Sequence, residues 1–437
     1  MESLWRATEK MPEFPALESD TKTDVLIIGG GMAGLLTAYA LTKAGAEVLL
    51  IERDELCGGV TGNTTAKLTA QHGLIYHRIA KQFSWTEARM YWEIQTAAME
   101  KFRQLSERFP CDMETKDAWV YARRPLPEME REMETLDTLK IPAEYERIVP
   151  LPFETAGAIR FPAQAQFHPL KFAAGIAQGL NIRTHTAALS FEGRTVHTNR
   201  GTIRAEQIVI ATHFPMLNKH GAYFLKLYQD RSYVLALENV KAPDGMYRDA
   251  EPGGLSLRNW GKLLLLGGGG HRTGKPSDGW RGLEKAATQY YPLSKEKYRW
   301  ATQDCMTLDG LPYIGQYGRH TPGVYVATGF NKWGMTSAMT AAAALSDLLT
   351  GRQSEYAELF SPQRTILRPQ LLRNAAEAVK SLCTFRKPRC PHMGCALQWN
   401  PQEHSWDCPC HGSRFTGEGR LLNNPANGDM DLPKKLQ

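Results

Sequence analysis

The sequence lacks the features that mark most non-enzymatic classes of protein. Its 437 residues contain no internal repeat, no low-complexity segment and no long run of Lys and Arg, and the net charge is +6. Nucleic-acid binding therefore has no support in the charge pattern. With 42% hydrophobic and 22% charged residues, the composition is globular and excludes disordered, collagen-like and coiled-coil chains. The length predicts two or three domains with a sizeable core.

The sequence predicts neither a secretory signal nor a membrane span. The first 20 residues have neither the basic start nor the apolar stretch of a signal peptide. The apolar run from Val25 to Leu41 is interrupted by four glycines, which indicates a buried strand, a turn and a helix rather than a span. We therefore expect a cytoplasmic protein without a membrane span.

A glycine motif is the first functional signal. Gly29, Gly31 and Gly34 form a G-x-G-x-x-G pattern between a predicted strand and a predicted helix. Such glycines permit a tight turn, a close approach of the backbone to a pyrophosphate, and close packing of helix on strand. Glu52, followed by Arg53, ends the next strand, where an acid would bind ribose hydroxyls. The pattern predicts a dinucleotide site, and a glycine turn without a ligand is the alternative.

The later strands favour FAD over NAD. A predicted strand at 205–211 and a strand–Gly329–helix unit at 323–351 return the chain to the first motif, as in FAD-binding folds. A second glycine-rich stretch, at 267–274, is followed by no apolar helical pattern, so we interpret it as a strand-to-loop turn. Without a second dinucleotide unit, a pyridine nucleotide reductase is disfavoured.

These motifs resemble the D-amino-acid oxidase-like flavoproteins, a group that includes glycine oxidase and sarcosine oxidase. The resemblance covers roughly residues 22–352 and includes TLDGLPYIG (307–315) and GVYVATGFNKWGMTSA (323–338). It implies an α/β fold in which an FAD-binding Rossmann-like domain carries a β-rich substrate domain. It also implies hydride transfer from a substrate C–N bond to FAD. The cofactor residues that it implies, besides the first motif, are Thr64, Thr65, Gly329, Phe330, Gly334, Met335 and Thr336.

Two departures from that family concern the substrate. Asp304 stands where glycine oxidase-like members carry an arginine for the substrate carboxylate, and Thr336 replaces a lysine of sarcosine oxidase-like members. Asp304 would favour a cation such as an amine, unless it is a solvated loop acid. We expect His72, Arg258 and Asp304 to be catalytic, with Lys67, Arg231, Tyr233 and His271 as further candidates at the substrate face. Because Ala301 stands where some relatives attach the flavin through a cysteine, we expect non-covalent FAD.

A Cys/His cluster near the end of the sequence predicts a metal centre. Cys390-x-His392 and Cys408-x-x-His411 are separated by 15 residues. Two loops that each offer one Cys and one His can hold a [2Fe–2S] cluster, with two thiolates on one iron and two imidazoles on the other. Zinc is the competing metal, since two Cys and two His also suit a tetrahedral site.

The segment resembles high-potential Rieske proteins. The resemblance implies a disulfide between Cys395 and Cys410, and Ser413 keeps a hydroxyl that can hydrogen-bond a bridging sulfide. Phe415 replaces the Tyr of quinol-oxidising relatives, which predicts a lower potential. Few residues of the predicted Rieske segment precede Cys390, so this small all-β domain is minimal. We therefore expect it to lean on the flavin domain, that is, to pack against it for stability.

The predicted organisation and function follow. We expect an FAD-binding domain from 1–75, 150–230 and 300–352, a substrate or cap domain from 76–149 and 231–299, a helical connector at 353–380, and a Rieske domain at 381–437. The substrate would be a small amine or amino acid, and electrons would pass from FAD to the cluster and on to an external acceptor. The alternatives are a reductase with the reverse electron flow and a non-catalytic iron–sulfur redox sensor.

Overall fold

The computed structural model describes residues 2–216, 220–354, 356–385 and 387–431. The helices are α1 (Leu4–Thr8), α2 (Met32–Lys43), α3 (Tyr76–Gln82), α4 (Trp85–Arg108), α5 (Pro127–Thr138), α6 (Pro169–Ala177), α7 (Tyr223–Lys226), α8 (Trp280–Tyr290), α9 (Gly334–Leu349) and α10 (Pro369–Leu382). Among the described residues, no helix combines the length and the apolar character needed to cross a bilayer.

The strands form three sheets. They are β1 (Thr21–Ile28), β2 (Val48–Ile51), β3 (Lys67–Leu68), β4 (Glu114–Ala122), β5 (Glu144–Glu146), β6 (Gly157–Gln166), β7 (Ile182–Arg183), β8 (Ala188–Glu192), β9 (Thr195–Thr198), β10 (Gly201–Ile210), β11 (Leu227–Glu238), β12 (Met246–Asp249), β13 (Ser256–Trp260), β14 (Leu263–Arg272), β15 (Lys295–Thr307), β16 (Tyr313–Gln316), β17 (Val324–Thr328), β18 (Gln398–Asn400), β19 (Ser405–Asp407), β20 (Arg414–Thr416) and β21 (Leu421–Asn423).

The first sheet has the order β16-β17-β10-β1-β2-β7, with β9 pairing to β10 and β8 to β9. From β17 to β7 the strands are parallel, and Ile28 lies opposite Ile51 on one side and Ile210 on the other. The end of β1 is buried on both faces, as a parallel strand covered by helices requires. The predicted α/β architecture is confirmed, with the glycine turn at the carboxyl end of β1.

The second sheet has the order β15-β11-β14-β13-β12-β4-β6-β3, with β5 pairing to β6. All its pairs are antiparallel except β12 with β4. Three of its strands, β3, β6 and most of β15, lie within the ranges predicted for the FAD-binding domain, so sheet membership differs from the predicted boundaries. The stretch at 267–270 also continues β14 rather than turning into a loop.

The third sheet is small, with β18, β19, β20 and β21 in sequential antiparallel order. The loops before β18 and between β19 and β20 carry the Cys/His cluster. A buried cluster of Cys390, Cys395, Leu397, Cys408, Cys410, Phe415, Ala426 and Met430 forms its core. Cysteines make up half of that core, so a metal centre rather than aliphatic packing is expected to organise it.

Candidate functional site

The glycine turn leaves no room for side chains at two positions. Gly29 has φ +115°, and a Cβ there would lie 2.6 Å from the carbonyl oxygen of Ala211. A Cβ on Gly34 would overlap the carbonyl oxygen of Gly29, so Gly34 lets α2 pack onto the turn rather than lining the cavity. Gly31 precedes the first residue of α2, so the helix N-terminus faces the space where a pyrophosphate would lie.

Glu52 holds a fixed position at the end of β2. Its Oε2 accepts a hydrogen bond from the Gly30 backbone N–H at 2.6 Å, and its Oε1 accepts one from the Asp54 N–H at 3.1 Å. The carboxylate lines the cavity beside the glycine turn. This is the place at which an acid can accept hydrogen bonds from ribose hydroxyls.

One cavity of about 720 Å³ extends from the glycine turn through the second sheet to the third. A dinucleotide needs a cleft of this size, lined by a few polar groups among apolar ones. The sheets and loops that line it come from all three parts of the chain. The predicted cofactor residues that line it are Gly29, Gly31, Glu52, Arg53, Thr64, Thr65, Gly329, Phe330, Gly334 and Met335. The residues present therefore fit FAD.

His72 and Thr336 lie behind the cavity wall. The Nε2 of His72 lies 2.8 Å from the carbonyl oxygen of Thr69 and 3.1 Å from the Thr336 hydroxyl, and Nδ1 lies 2.5 Å from the Tyr91 hydroxyl. Because a carbonyl only accepts, Nε2 carries the hydrogen. Burial lowers the pKa of His72 to about 3, so the ring is neutral. The ring stacks on Trp333, which lines the cavity, so His72 lies one side chain behind the wall and its catalytic role stays a prediction.

Arg258 also lies away from the cavity. Its side chain is fully buried, its Nη1 donates to the carbonyl oxygen of Ala66 at 2.9 Å, and its guanidinium lies over the rings of Trp5 and Trp260. The predicted catalytic role is not supported by this position, because the guanidinium is used to bind backbone and aromatic groups in the core. Burial lowers the pKa of Arg258 to about 9.

Asp304 lines the cavity, as predicted, but the chain supplies its cation. The Nζ of Lys332 lies 2.8 Å from the Asp304 carboxylate and 3.1 Å from the Ser232 hydroxyl. The carboxylate is therefore already neutralised by an internal ion pair. It offers less attraction to an amine than the sequence suggested.

Arg248 is a cavity residue that the sequence analysis missed. It lines the cavity from β12, with its guanidinium 5.1 Å from the ring of Trp333. Within the described part of the chain, its guanidinium has neither a hydrogen bond nor an ion pair. Burial lowers its pKa, while the charges of Asp304 and Asp249 raise it. A partly buried guanidinium without an acid in contact is suited to bind an anionic group of a ligand.

Lys67 lines the same cavity and lies near enough to Arg248 for their charges to interact. Its Nζ donates to the carbonyl oxygen of Tyr247 at 2.8 Å and to the hydroxyl of Ser256 at 2.6 Å. Burial lowers its pKa well below the usual range, and the charges of Arg248 and Arg258 lower it further. An anion bound at Arg248 would offset this repulsion.

The four predicted cluster ligands lie together. Cys390, Cys408 and His411 are buried, and the ring centroids of His392 and His411 are 4.9 Å apart. The Nε2 of His411 lies 2.9 Å from the carbonyl oxygen of Phe224, whereas its buried Nδ1 has no hydrogen-bond partner in the residues described. Burial lowers the pKa of His411 to about 3, which leaves the neutral imidazole that binds metals. These ligands fit a cluster held through Nδ1 of His411.

Two further cysteines adjoin the ligands. The sulfur atoms of Cys395, Cys408 and Cys410 lie within 4.8 Å of one another, and Cys395 and Cys410 are free thiols. The disulfide between them therefore stays a prediction. The Ser413 hydroxyl accepts a hydrogen bond from the Ala426 N–H at 3.0 Å and also contacts the Cys390 thiol, so it lies beside the ligand sulfur.

The cluster loops are bound to the second sheet. Gln229 on β11 donates to the carbonyl oxygen of His411, and Gln303 on β15 donates to that of Gly412, both at 2.8 Å. Arg272 on β14 donates to the carbonyl oxygens of the two residues before His411, Pro409 and Cys410, at 2.7 Å each. The expectation that the minimal cluster domain leans on the flavin domain is confirmed.

Neighbouring residues of strand β15 face the cavity on one side of the sheet and the cluster loops on the other. Thr302 and Asp304 line the cavity, and Gln303 between them contacts the cluster loop. This follows from the alternation of side chains along a strand. His213, which follows the carboxyl end of β10, also lines the cavity. Burial lowers the pKa of His213, although Asp304 and Gln229 partly offset this effect. Sequence reasoning missed His213, because no motif marks it.

Comparisons with known proteins agree with both halves of this site. Residues 24–348 match the family described as FAD dependent oxidoreductase, and residues 362–434 match the Rieske [2Fe-2S] domain. A protein of Bacillus subtilis (strain 168) named as a Rieske 2Fe-2S iron-sulfur protein, YhfW, is 34% identical over 97% of this chain and 96% of its own. Gamma-glutamylputrescine oxidoreductase of Escherichia coli (strain K12) is 23% identical over 79% of this chain and 88% of its own.

A solved structure shows the same fold over the flavin part. Glycine oxidase from Geobacillus kaustophilus superposes with a TM-score of 0.67 at 19% identity, over 79% of this chain and 99% of that one. Residues 24–348, which match the oxidoreductase family, include the glycine turn and the second sheet, and the cluster segment matches a separate family. The chain therefore belongs to the FAD dependent oxidoreductase family and carries a Rieske [2Fe-2S] domain, with FAD and a [2Fe–2S] cluster as its cofactors.

Proposed function

We propose that the protein oxidises the C–N bond of a small amine that carries an anionic group, and passes the electrons through its own cluster to an external acceptor. The observation that carries this proposal is the position of β15. Its residues 302 and 304 line the cavity, and residue 303 contacts the cluster loop. A cluster bound so close to the flavin cavity is suited to receive electrons within one chain.

The relatives support an amine as the electron donor. Gamma-glutamylputrescine oxidoreductase and glycine oxidase are both named for compounds that contain an amino group. Removal of two electrons and two protons from such a group leaves an imine. FAD supplies the two-electron acceptor for this step, and the cluster accepts one electron at a time. The external acceptor then takes two electrons for each substrate molecule, which balances the reaction.

Arg248 supports an anionic group on the substrate. Arg248 and Lys67 are cavity residues without an ion pair in the described residues, but the Lys67 Nζ is bound to the Tyr247 carbonyl and the Ser256 hydroxyl, and the Lys332 ammonium is bound to Asp304. A carboxylate at Arg248 would be held by a charge-assisted bidentate hydrogen bond. In a simple neutral amino acid the only anionic group is the carboxylate next to the amine-bearing carbon. Such amino acids would be poor substrates if Arg248 binds an anionic group that lies farther from the amine.

The proposed reaction can be tested without the external acceptor. Under anaerobic conditions, candidate amines are added to the holoprotein, flavin bleaching is followed by absorbance, and the reduced cluster by electron paramagnetic resonance. We expect a substrate to bleach the flavin and to produce the cluster signal. Bleaching without a cluster signal would contradict transfer within the chain, and reduction only by a carrier protein would favour the reverse flow.

The substrate class is tested by Arg248→Gln. The variant should raise KM for an anionic amine by about a hundredfold or more, because a charge-assisted pair is lost, while kcat changes less. Arg123→Gln is a matched control, since Arg123 lies on the second sheet's rim, over Phe153, outside the cavity. An unchanged KM in Arg248→Gln would remove the anionic group from the proposal without affecting the proposed electron transfer.

A further inference from the structure

Helix α10, which precedes the cluster loops, is amphipathic, but its polar side chains face the protein and its apolar side chains face the solvent. The side that faces the protein carries three polar residues, together with Ala378, which packs against the core of the cluster part. Asn374 accepts from Arg272 at 2.8 Å and from Gln370 at 3.1 Å, Glu377 pairs with Lys275, and Ser381 donates to the carbonyl oxygen of Ala396 at 3.2 Å. These contacts fix the rotation of the helix, because each polar side chain reaches a partner on another element.

The opposite side of α10 is apolar and exposed. The residues of this outer face are Leu372, Ala375, Ala376, Val379 and Leu382, and the exposed Phe385 follows the helix. The exposed fractions are 75% for Leu372, 63% for Val379 and 77% for Phe385. A surface helix normally turns its apolar stripe inward, so an outward stripe beside a polar inner side marks a binding surface.

The charges around the outer face are of one sign. Arg373, Lys380, Lys387 and Arg389 are exposed around it. The one acid among the described residues from 369 to 389 is Glu377, and its carboxylate is taken up by Lys275. A second copy of the chain would bring these positive groups against one another, which disfavours self-association through this face.

The shape of the outer face favours binding to a lipid bilayer over binding to a folded protein. It is one surface helix from which Leu and Val side chains project, with the exposed Phe385 just beyond its end and basic residues at its edges. An amphipathic helix with this arrangement lies in the plane of a bilayer, with its apolar side chains between the lipid chains and its Lys and Arg at anionic headgroups. A folded protein partner would instead need a groove shaped to these separate projections.

We propose that the outer face of α10 binds the surface of an anionic lipid bilayer. The Rieske domain would then face the membrane, because Arg389 binds the carbonyl oxygens of both Leu382 at the end of α10 and Gly394 in the cluster loop. The protein would lie on the bilayer without crossing it. This inference does not depend on the proposed reaction, since binding is measured without substrate.

The test is cosedimentation of the holoprotein with lipid vesicles. We expect binding to vesicles of phosphatidylcholine with about 30% phosphatidylserine, and at least about tenfold weaker binding to phosphatidylcholine alone, because the basic residues need anionic headgroups. The double variant Leu372→Asp, Val379→Asp should bind the anionic vesicles at least about tenfold more weakly, since two apolar side chains no longer enter the bilayer. FAD and iron contents should be unchanged, because both side chains are exposed.

A matched control comes from the second sheet. Ile148 lies between β5 and β6 with 88% of its surface exposed, so Ile148→Asp makes the same chemical change at an exposed apolar residue away from α10, and it should bind vesicles like the original protein. No binding to anionic vesicles, or equal binding by the double variant, would overturn the proposal. A dimer that the double variant converts to a monomer, without vesicle binding, would assign the face to a second copy instead.

Discussion

The flavin part and the cluster part of this molecule are held together in different ways. The flavin part has two large sheets and an extended apolar core, in which α2 and α9 pack beside the glycine turn. The cluster part has four short strands, and half of the residues in its core are cysteines. One part can bury its own apolar surface, whereas the other depends on its metal and on its neighbour.

The contacts between the two parts show how that dependence is met. The second sheet binds carbonyl groups of four consecutive residues, from Pro409 to Gly412, and a buried ion pair joins Arg231 to Glu403. Gly412 is required here, because a Cβ at this position would lie 2.6 Å from the Cβ of Gln229. The cluster loop is therefore shaped to fit β11, and the flavin part acts as the missing layer of the small domain.

The largest expected effect separates the two parts completely. His411→Ala should abolish the cluster while FAD stays bound, because the imidazole ligand is lost and the flavin residues lie elsewhere. Iron and acid-labile sulfide, expected at about two each per chain in the original protein, should fall to background, and released FAD should stay stoichiometric. His404→Asn is the control, since His404 is exposed in the same segment and Asn tolerates its positive φ of 51°. One zinc and no iron in anaerobic protein would contradict the cluster.

The second effect is expected in the flavin part, where a substitution disrupts the glycine turn. Gly34→Ala should release FAD and lower the thermal unfolding temperature, because the new Cβ would overlap the Gly29 carbonyl oxygen and push α2 from the turn. Strain of this kind costs about 1–3 kcal/mol or more. Gly59→Ala, with no atom within 4 Å of the new Cβ, should keep FAD. Retention of FAD by Gly34→Ala at the original affinity would contradict the role given to the turn.

Local chemistry explains what could be predicted from the sequence. Sequence spacing within short segments identifies the glycines of the turn, Glu52 and the four cluster ligands. This spacing can be read from the sequence without knowing the fold. The position of His72 and Arg258 depends on which face of a loop or strand meets the cavity, and distant residues such as Tyr91 and Ala66 decide it. Arg248 lies in a four-residue strand without a motif, so only the pairing of β12 with β4 and β13 places it at the cavity.

A third effect weakens the contact between the parts. Arg231→Ala should destabilise the cluster part by about 3 kcal/mol, because Glu403 stays buried with only Arg414 as its cation. Thermal unfolding followed at the cluster absorbance should shift down, with a smaller shift in flavin fluorescence. Arg124→Ala, which removes an exposed pair with Glu251, should shift neither by more than a degree or so. Equal shifts in both signals would contradict the separate stabilities.

The same ion pair predicts a pH dependence. Burial alone would raise the pKa of Glu403, but the charges of Arg231 and Arg414 lower it below its usual value. A lowered folded-state pKa contributes stability above the unfolded pKa of about 4.3, and this stability is lost as the pH falls through the folded pKa. The cluster part should therefore lose stability below about pH 4, and Arg231→Ala should show a smaller loss over the same range. A pH profile that is identical in the variant would contradict this assignment.

The smallest expected effect tests the one-residue separation on β15. Gln303→Leu removes the donor to the Gly412 carbonyl oxygen and to Gln229, each at 2.8 Å, in a position that is buried. Leaving such acceptors unsatisfied costs about 1–3 kcal/mol, which should appear as a lower unfolding temperature of the cluster signal with unchanged FAD affinity. Thr302→Val, on the cavity side of the same strand, should give the opposite pattern, with altered flavin binding and an unchanged cluster. If both variants changed both signals equally, β15 would not separate the two sites, and the cavity and the cluster loop would behave as one cooperative unit.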